Sequence, residues 1–532
     1  MEQTQKKEKG LLKAASWIAF VILLSKIFGF LRDVVVANFY GASMVSDAYF
    51  YAYQLPALAV VILGGVGGPF HSATVAVFSK LIKDFDKKPE KEVKKLFNTF
   101  ETFSLLVFGA LSLFCFFFPH VVMGIIINGA SPELIQMASN QLRVMSPIIF
   151  VGAVIGIYYG ILVTHKHFLL PNISPSFMSV GLVLVLLITG SDATGFNLAL
   201  GTMIGAFAQL LAQMPLIFKM GYTYKPSFDF FNNKNFKEIT ELLFPAFLSS
   251  TVGQLGLYID MFFASGLKEG AWTSLGYANR IFQFPTGMIL AAVLVPLFPL
   301  FSKLVGQKDF ESASNYFAKG VTSLFYVATY MMIAIFILRY DAIKIALERG
   351  AFDSSATFMV SEILFIITLS IIPYVFRDSA TRFLYAFNDS KTPFFVAGFS
   401  IILKFVLNTL LVKHFGIYGI CTSTAFITLF NAVLLGYFAS RKTKIDYKTI
   451  FKTLFKILIA GFVAYCAGAY VKSVLSSSFE WSLIFGLSEI VIVGLTLLVV
   501  YVLASYLLKI SCFNDLVEKF INKKKNQIDE VQ

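Results

Sequence analysis

Apolar residues in this chain come in blocks long enough to cross a bilayer, and that excludes most folds open to 532 residues. The stretches 148–163, 178–189 and 483–508 are nearly free of charge. A hydrocarbon core takes about 20 apolar residues per helix. Hydrophobic residues make up 57% of the chain and charged ones only 14%, too little charge to coat a soluble surface. The fold class that follows is an all-α polytopic membrane protein of about fourteen transmembrane helices. The expected spans are 12–38, 44–80, 97–127, 137–164, 169–190, 195–218, 239–266, 272–303, 314–346, 356–387, 393–413, 417–440, 450–472 and 482–508. The Lys-rich start, Met1 to Lys13, leads into an apolar stretch without a small-residue cleavage site. It is expected to be retained as the first helix and not removed as a signal.

A net charge of +13 in a soluble protein would suggest nucleic acid. Here its placement speaks to topology, and no nucleic-acid partner is expected. With the amino end inside, the inside segments collect Lys6, Lys7 and Lys9, seven lysines between Lys80 and Lys95, and Lys166. They also take Lys219, Lys225, Lys234 and Lys237, then Lys303, Lys308 and Lys319. Arg441, Lys442, Lys444, Lys448 and Lys452 follow, and finally Lys519 and Lys523 to Lys525. The outside segments hold fewer: Arg143, Lys268, Arg339, Lys344, Arg349, Lys413 and Lys472. Basic residues favour the cytoplasmic side. An even number of spans with both termini cytoplasmic satisfies that rule, and an odd number scrambles it.

The chain carries a weak internal repeat. Tyr51-Ala52-Tyr53 to Phe78-Ser79-Lys80-Leu81 resembles Tyr277-Ala278-Asn279 to Phe301-Ser302-Lys303-Leu304. Pro171 and Pro393 open spans five and eleven, 222 residues apart, and Gly195 and Gly416 open spans six and twelve, 221 apart. The near-constant offset predicts two parallel six-helix lobes, with two extra helices at the carboxyl end. The expected divisions are 1–222, 223–445 and 446–532, with a cavity between the lobes.

Ionisable groups at membrane depth cost at least about 2.5–3.5 kcal/mol on insertion scales and default to function. Span one holds Lys26, Arg32 and Asp33, with Gly29 placed to ease a bend. Span two starts with Asp47 and carries Gln54 and Pro56 before the run Gly64, Gly65, Gly67, Gly68, Pro69 and His71. Glycine and proline in that density predict a broken helix lining a cavity. Arg280 and Pro285 occupy the related span of the second lobe. Converging basic groups suit a diphosphate or carboxylate, since the Arg fork matches oxyanions. Pairing of Arg32 with Asp33 or Asp47 as a structural salt bridge is the competing reading. Asp260 is either a proton or cation site or a polar packing group, and Lys404 and Asn408 lie one turn apart. Arg377, Asp378, Arg382 and Glu489 read as snorkelling or pairing groups.

Cys115, Cys421, Cys466 and Cys512 are scattered without metal or disulfide spacing, and His71 has no ligand partner at a suitable distance along the chain. No Walker loop, HExxH, GxSxG or paired acyltransferase box is present, so no cofactor, metal or enzyme activity is expected. Any energy source is then ionic or electrical, Na+ or the membrane potential.

Three motifs resemble the MurJ/MviN lipid II flippases. Ser25-Lys26-Ile27-Phe28-Gly29-Phe30-Leu31-Arg32-Asp33, followed by Asp47-Ala48-Tyr49, is similar to the family's opening signature. Glu348-Arg349-Gly350-Ala351-Phe352-Asp353 resembles an external stretch, and Tyr385-Ala386-Phe387-Asn388-Asp389-Ser390-Lys391-Thr392-Pro393 resembles a cytoplasmic loop. The run from Gly64 to Ser72 looks like the cyanobacterial branch. The resemblance implies a bacterial inner-membrane member of the multidrug/oligosaccharidyl-lipid/polysaccharide exporter superfamily. Its implied task is to flip an undecaprenyl-diphosphate-linked peptidoglycan precursor outward by alternating access, beside the cell-wall synthesis machinery. Lys26, Arg32 and Arg280 match basic cavity residues, Asp33 and Asp47 match nearby acids, and spans thirteen and fourteen match the groove for the polyprenyl tail. Two departures stand out. The family often has an Arg in span two, where Val60 to Leu63 are apolar here. Some members bind sodium between spans seven, eleven and twelve. Asp260, Asn408 and Thr428 could contribute to such a site, but Val412 stands where an acid is expected, and Lys404 could supply the cation instead. Rival expectations are export of another lipid-linked oligosaccharide or a drug, and a non-transporting scaffold for envelope assembly. A membrane glycosyltransferase is disfavoured by the lack of a long catalytic domain outside the spans.

Overall fold

The computed structural model describes residues 2–60, 65, 68–82, 88–290, 294–478 and 481–513, with side chains from Phe20 onward except at 249, 252, 288, 289, 295 and 296. Most of the glycine run of span two, the apolar residues 61–63, part of the lysine group after Lys80 and the tail lysines lie outside these residues. Among the described residues every regular element is a helix, twenty in all. In hydrocarbon only a helix satisfies its own backbone within one segment.

The chain divides into two compact units. Unit 1 comprises Met1–Thr273 and Arg349–Phe352. It contains α1 (Glu2–Tyr40), α2 (Met44–Leu58), α3 (Pro69–Leu81), α4 (Lys91–Phe117), α5 (Pro119–Ile126) and α6 (Pro132–Met145). It continues with α7 (Pro147–Thr164), α8 (Leu169–Ile173), α9 (Pro175–Thr189), α10 (Phe196–Lys219) and α11 (Lys234–Ala264), and takes the first residues of α12 (Ala271–Ile289). Unit 2 comprises Ser274–Glu348 and the chain from Asp353. It holds the rest of α12, then α13 (Val295–Gly306), α14 (Phe310–Leu347), α15 (Ser354–Thr368) and α16 (Ile371–Ala386). Its last helices are α17 (Lys391–Phe415), α18 (Ile417–Lys442), α19 (Tyr447–Ser478) and α20 (Leu483–Leu507).

Nine helices among the described residues are long and apolar enough to cross a membrane, and bent pairs raise the number to eleven. One of those pairs is α15 with α16, bent by 46°. The remaining expected spans fall on α1, on α2 with α3, and on α12 with α13. The chain is an all-α, multi-pass membrane protein. Several expected spans are interrupted where proline starts a new helix: Pro119, Pro147 and Pro175 each sit at a first helical position. Proline has no N–H to continue the ladder but suits the first turn. The periodicity of 97–127 and 137–164 therefore reads as single spans, while the backbone makes two helices of each.

In span two α2 ends at Leu58 and α3 begins at Pro69. Gly195 before α10 and Gly416 before α18 both have positive φ, 70° and 55°. Within unit 1, α9 and α10 approach on small residues. A Cβ placed on Gly205 would lie 2.6 Å from Met178 Cα, and one on Gly181 would lie 2.5 Å from Gly205 Cα. Close backbone approach is how membrane helices gain van der Waals contact where lipid offers no hydrophobic drive. Gly205→Val is expected to cost about 1–3 kcal/mol, seen as a lower unfolding temperature in detergent. Unchanged melting would refute this packing role.

Candidate functional site

The basic residues of the first span lie on an unbroken helix. α1 passes through Gly29 without interruption, so the backbone is not unwound there, and among the described residues no atom of another element lies within 4 Å of where a Cβ would sit. That leaves open space between Lys26 and Arg32. Lys26 is exposed, Arg32 is half-buried and Asp33 is buried. Neighbouring residues on a helix point about 100° apart, so Arg32 folds back to reach Asp33. Its Nη2 donates to Asp33 Oδ1 at 3.0 Å and its Nε to the same oxygen at 3.1 Å. The pair pins the guanidinium, and its other N–H groups keep their directions. Of the two pairings open to Arg32 in the sequence, the structure contains the one with Asp33.

Asp47 has a different setting. It is 3% exposed, and both carboxylate oxygens accept hydrogen bonds. Gly270 N–H donates to Oδ2 at 2.7 Å, while Thr273 donates to Oδ1 through its N–H at 2.8 Å and its hydroxyl at 2.6 Å. Asp47 thus caps the start of α12, the helix that carries Arg280, with its charge at the favourable end of the helix dipole. Gly270 has φ of 78°, and a Cβ there would run into the Ala42 carbonyl, so only glycine fits this turn. Tyr51 stacks on Trp272 beside the cap, with ring centroids 5.2 Å apart and planes 9° apart.

The motif from Glu348 to Asp353 is largely structural as well. Ala351 N–H donates to Asn38 O at 2.8 Å, Phe352 is buried, and Gly350 has φ of 56° against the Asn38 carbonyl. Asp353 caps α15 through the Ala356 N–H at 2.8 Å. In the loop before α17, Asn388 takes the left-handed conformation and Asp389 accepts from Thr392 N–H and hydroxyl. The Lys442 ammonium, 2.8 Å from Asp389, and these Thr392 bonds hold its carboxyl below the usual range.

Arg280 is half-buried on α12 in unit 2. Asp260 is buried on α11 in unit 1. Lys404, Asn408 and Thr428 belong to unit 2. Lys404 Nζ donates to Thr424 Oγ1 at 3.3 Å, Asn408 is fully buried one turn along α17, and the Thr428 hydroxyl donates to Thr424 O at 2.8 Å. A fixed ammonium in this seam repels a second cation, the Val412 side chain offers no oxygen, and its carbonyl already accepts from Gly416 N–H. The donors of unit 2 do not fit a sodium ion. Among the described residues no group of three His, Cys, Asp or Glu side chains could hold a metal.

Three polar arrangements escaped the sequence reading. Asp192 ties the α9–α10 turn to the end of α1, accepting from Tyr40 at 2.7 Å and from Thr194, Phe196 and Asn197. Its burial pushes the carboxyl up, but those hydrogen bonds outweigh it and hold the group at about 2. The Ser-Asp-x-Thr-Gly turn was the available signal. Glu101 is buried on α4 with the Tyr158 hydroxyl donating at 3.3 Å. Lys472 on α19 pairs with Asp341 on α14, a contact with no signature in sequence spacing.

A family model described as "Lipid II flippase MurJ" matches residues 36–492. The chain belongs to the MurJ family. A probable lipid II flippase MurJ of Synechocystis sp. is 31% identical over 455 residues, covering 83% of this chain and 84% of that protein. One of Aquifex aeolicus is 25% identical over 462 residues, covering 86% and 89%. A solved MurJ structure described as inward closed matches with a TM-score of 0.76 at 24% identity, over 94% of this chain and 99% of that one. A structure described as an inward-facing multidrug resistance MATE family transporter of the MOP superfamily matches with a TM-score of 0.62 at 12% identity, over 82% and 99%. The two structures speak for the fold.

Two outcomes test the caps of this MurJ-family chain. Asp47→Ala strands three donors and is expected to cost about 1–3 kcal/mol, whereas Asp47→Asn, which keeps one acceptor, costs less. Equal unfolding temperatures for Asp47→Ala and the parent would refute the cap. Asp192, held below its ordinary 3.8 at about 2, stabilises fully above the ordinary value and loses that contribution as pH falls through the folded one. Asp192→Asn is therefore expected to flatten the acid limb of the melting curve between those values, and an unaltered limb would count against it.

Proposed function

We propose that this chain is a transporter that moves lipid II from the cytoplasmic to the outer leaflet of the bacterial inner membrane by alternating access, with both termini cytoplasmic. The observation that carries the reading is membership of the MurJ family across most of the chain, joined to a first helix with basic side chains around an open glycine position. Relatives named as lipid II flippases support it.

In this proposal Lys26, Arg32 and Arg280 receive the diphosphate. Arg32 brings an oriented fork, because Asp33 has already fixed its plane, and bidentate recognition gains from such preorganisation. Lys26 brings a point charge on a flexible stem. Asp47 serves the site at one remove, by fixing the first turn of the helix on which Arg280 lies. α19 and α20 take the polyprenyl tail. Coupling draws on the membrane potential, with Lys404 as a fixed charge. Cell-wall synthesis enzymes are the partners this role calls for.

The test is replacement in cells depleted of the native flippase, with lipid II scored on each leaflet. Arg32→Glu, Lys26→Glu and Arg280→Glu are each expected to lower outward movement about 10- to 100-fold, the loss of one charge-assisted contact or more, at normal membrane levels. Normal lipid II movement in Arg32→Glu would overturn the site. Normal membrane levels with no lipid II movement by the parent chain would overturn the function and favour the scaffold.

A further inference from the structure

Unit 2 contains a cavity that the flipping proposal does not use. It has a volume of about 440 Å³ and lies among α14, α16, α18 and α19. Phe325, Pro373, Phe376 and Ala432 form its inner wall. Its volume falls within the range of about 300–1,000 Å³ typical of small-molecule pockets. The lining is almost wholly apolar. Leu429, Val433 and Tyr437, one turn apart along α18, line the cavity and are also exposed, as is Phe451 on α19. The cavity therefore opens sideways onto the surface that faces hydrocarbon, and not into the interior of the unit.

Its position along the helices sets what can enter. Tyr437 and Ser440 belong to the last two turns of α18, and Tyr447 and Phe451 to the first turns of α19. The end of α18 carries Arg441 and Lys442, the connection Lys444, and the start of α19 Lys448 and Lys452, all exposed. Arg441 is held over the Tyr437 ring, 5.1 Å from its centroid, with Nε donating to the Tyr437 hydroxyl at 3.1 Å. Lys442 is engaged by Asp389. The acid of the connection, Asp446, accepts hydrogen bonds from Thr449. Among the described residues, no carboxylate is within ion-pair distance of Arg441, Lys444, Lys448 or Lys452. An apolar slot thus ends at a rim of cations at the membrane surface.

We infer that this cavity binds one acyl chain of an anionic phospholipid of the membrane, whose phosphate sits on Arg441 and the lysines of the α18–α19 connection. A zwitterionic lipid could fill the slot equally well but would gain nothing net from the rim, since juxtamembrane cations select anionic headgroups. Tyr447 closes the slot beneath the rim, donating its hydroxyl to Gly436 O at 2.5 Å. A Cβ at Gly436 would stand 2.9 Å from the Phe376 ring, so glycine keeps this wall thin. The inference rests on unit 2 alone and does not depend on which lipid the protein flips.

The test uses the purified full chain in nanodiscs of phosphatidylcholine with and without phosphatidylglycerol, followed by native mass spectrometry of retained lipid. Phosphatidylglycerol is expected to be retained preferentially. Arg441→Gln and Lys448→Gln are each expected to lower its retention about fivefold without altering that of phosphatidylcholine. Ala432→Phe, which fills the slot from within, and Val433→Trp, which covers it from the lipid side, are expected to abolish the preference. The second serves if the first does not fold. Equal retention of the two lipids, or a preference that survives Val433→Trp, would overturn the proposal. So would displacement of phosphatidylglycerol by a long-chain polyprenyl phosphate at equal concentration, which would make the slot a substrate-tail site.

Discussion

Hydrocarbon offers no hydrogen bonds, and that one fact governs both where this chain is regular and where it breaks. Each backbone group at membrane depth needs a partner within its helix or from a side chain placed to supply one. Where proline or a left-handed glycine ends a helix, the structure provides caps. Asp47 takes the donors at Gly270 and Thr273, Asp192 those of the α9–α10 turn, and Asp353 that of α15. Acids that look like functional charges in an apolar sequence are used in several places to start helices.

The same economy shapes the first helix. A lone guanidinium near a bilayer is costly, and Asp33 lowers that cost while fixing the plane of Arg32. Structural pairing and anion binding are therefore not rivals here. A paired Arg keeps N–H groups to offer, and its orientation is settled before a ligand arrives. Lys26 differs in kind, exposed and flexible, with open space at Gly29 between the two.

The carboxyl-terminal helices are held to each other and to their unit by polar contacts. Lys472 on α19 pairs with Asp341 on α14, Ser476 donates to Glu489 on α20 at 3.0 Å, and the Tyr501 hydroxyl donates to Tyr326 O at 2.8 Å. Glu489, a lone acid in the sequence, is accounted for as half of such a tie. Between these anchors the outer faces of α18 and α19 remain apolar and exposed, the surface that lipid covers.

Sequence alone determined the class of fold, the approximate places of the spans and the family, but not the breaks at Pro119 and Pro147 that divide two of them. Apolar length, the distribution of lysine and arginine, and the motifs around Arg32, Gly350 and Asp389 are written along the chain and need no partner to be read. The role of each charge was not legible, because it depends on what lies opposite in space. Asp33 and Asp47 look alike in sequence, yet one braces a guanidinium in its own helix and the other reaches a turn more than two hundred residues away. Lys472 and Asp341, and the slot beside Gly436, exist only once distant helices pack. Spacing reports which face of a helix a residue occupies; only tertiary structure decides what meets it there.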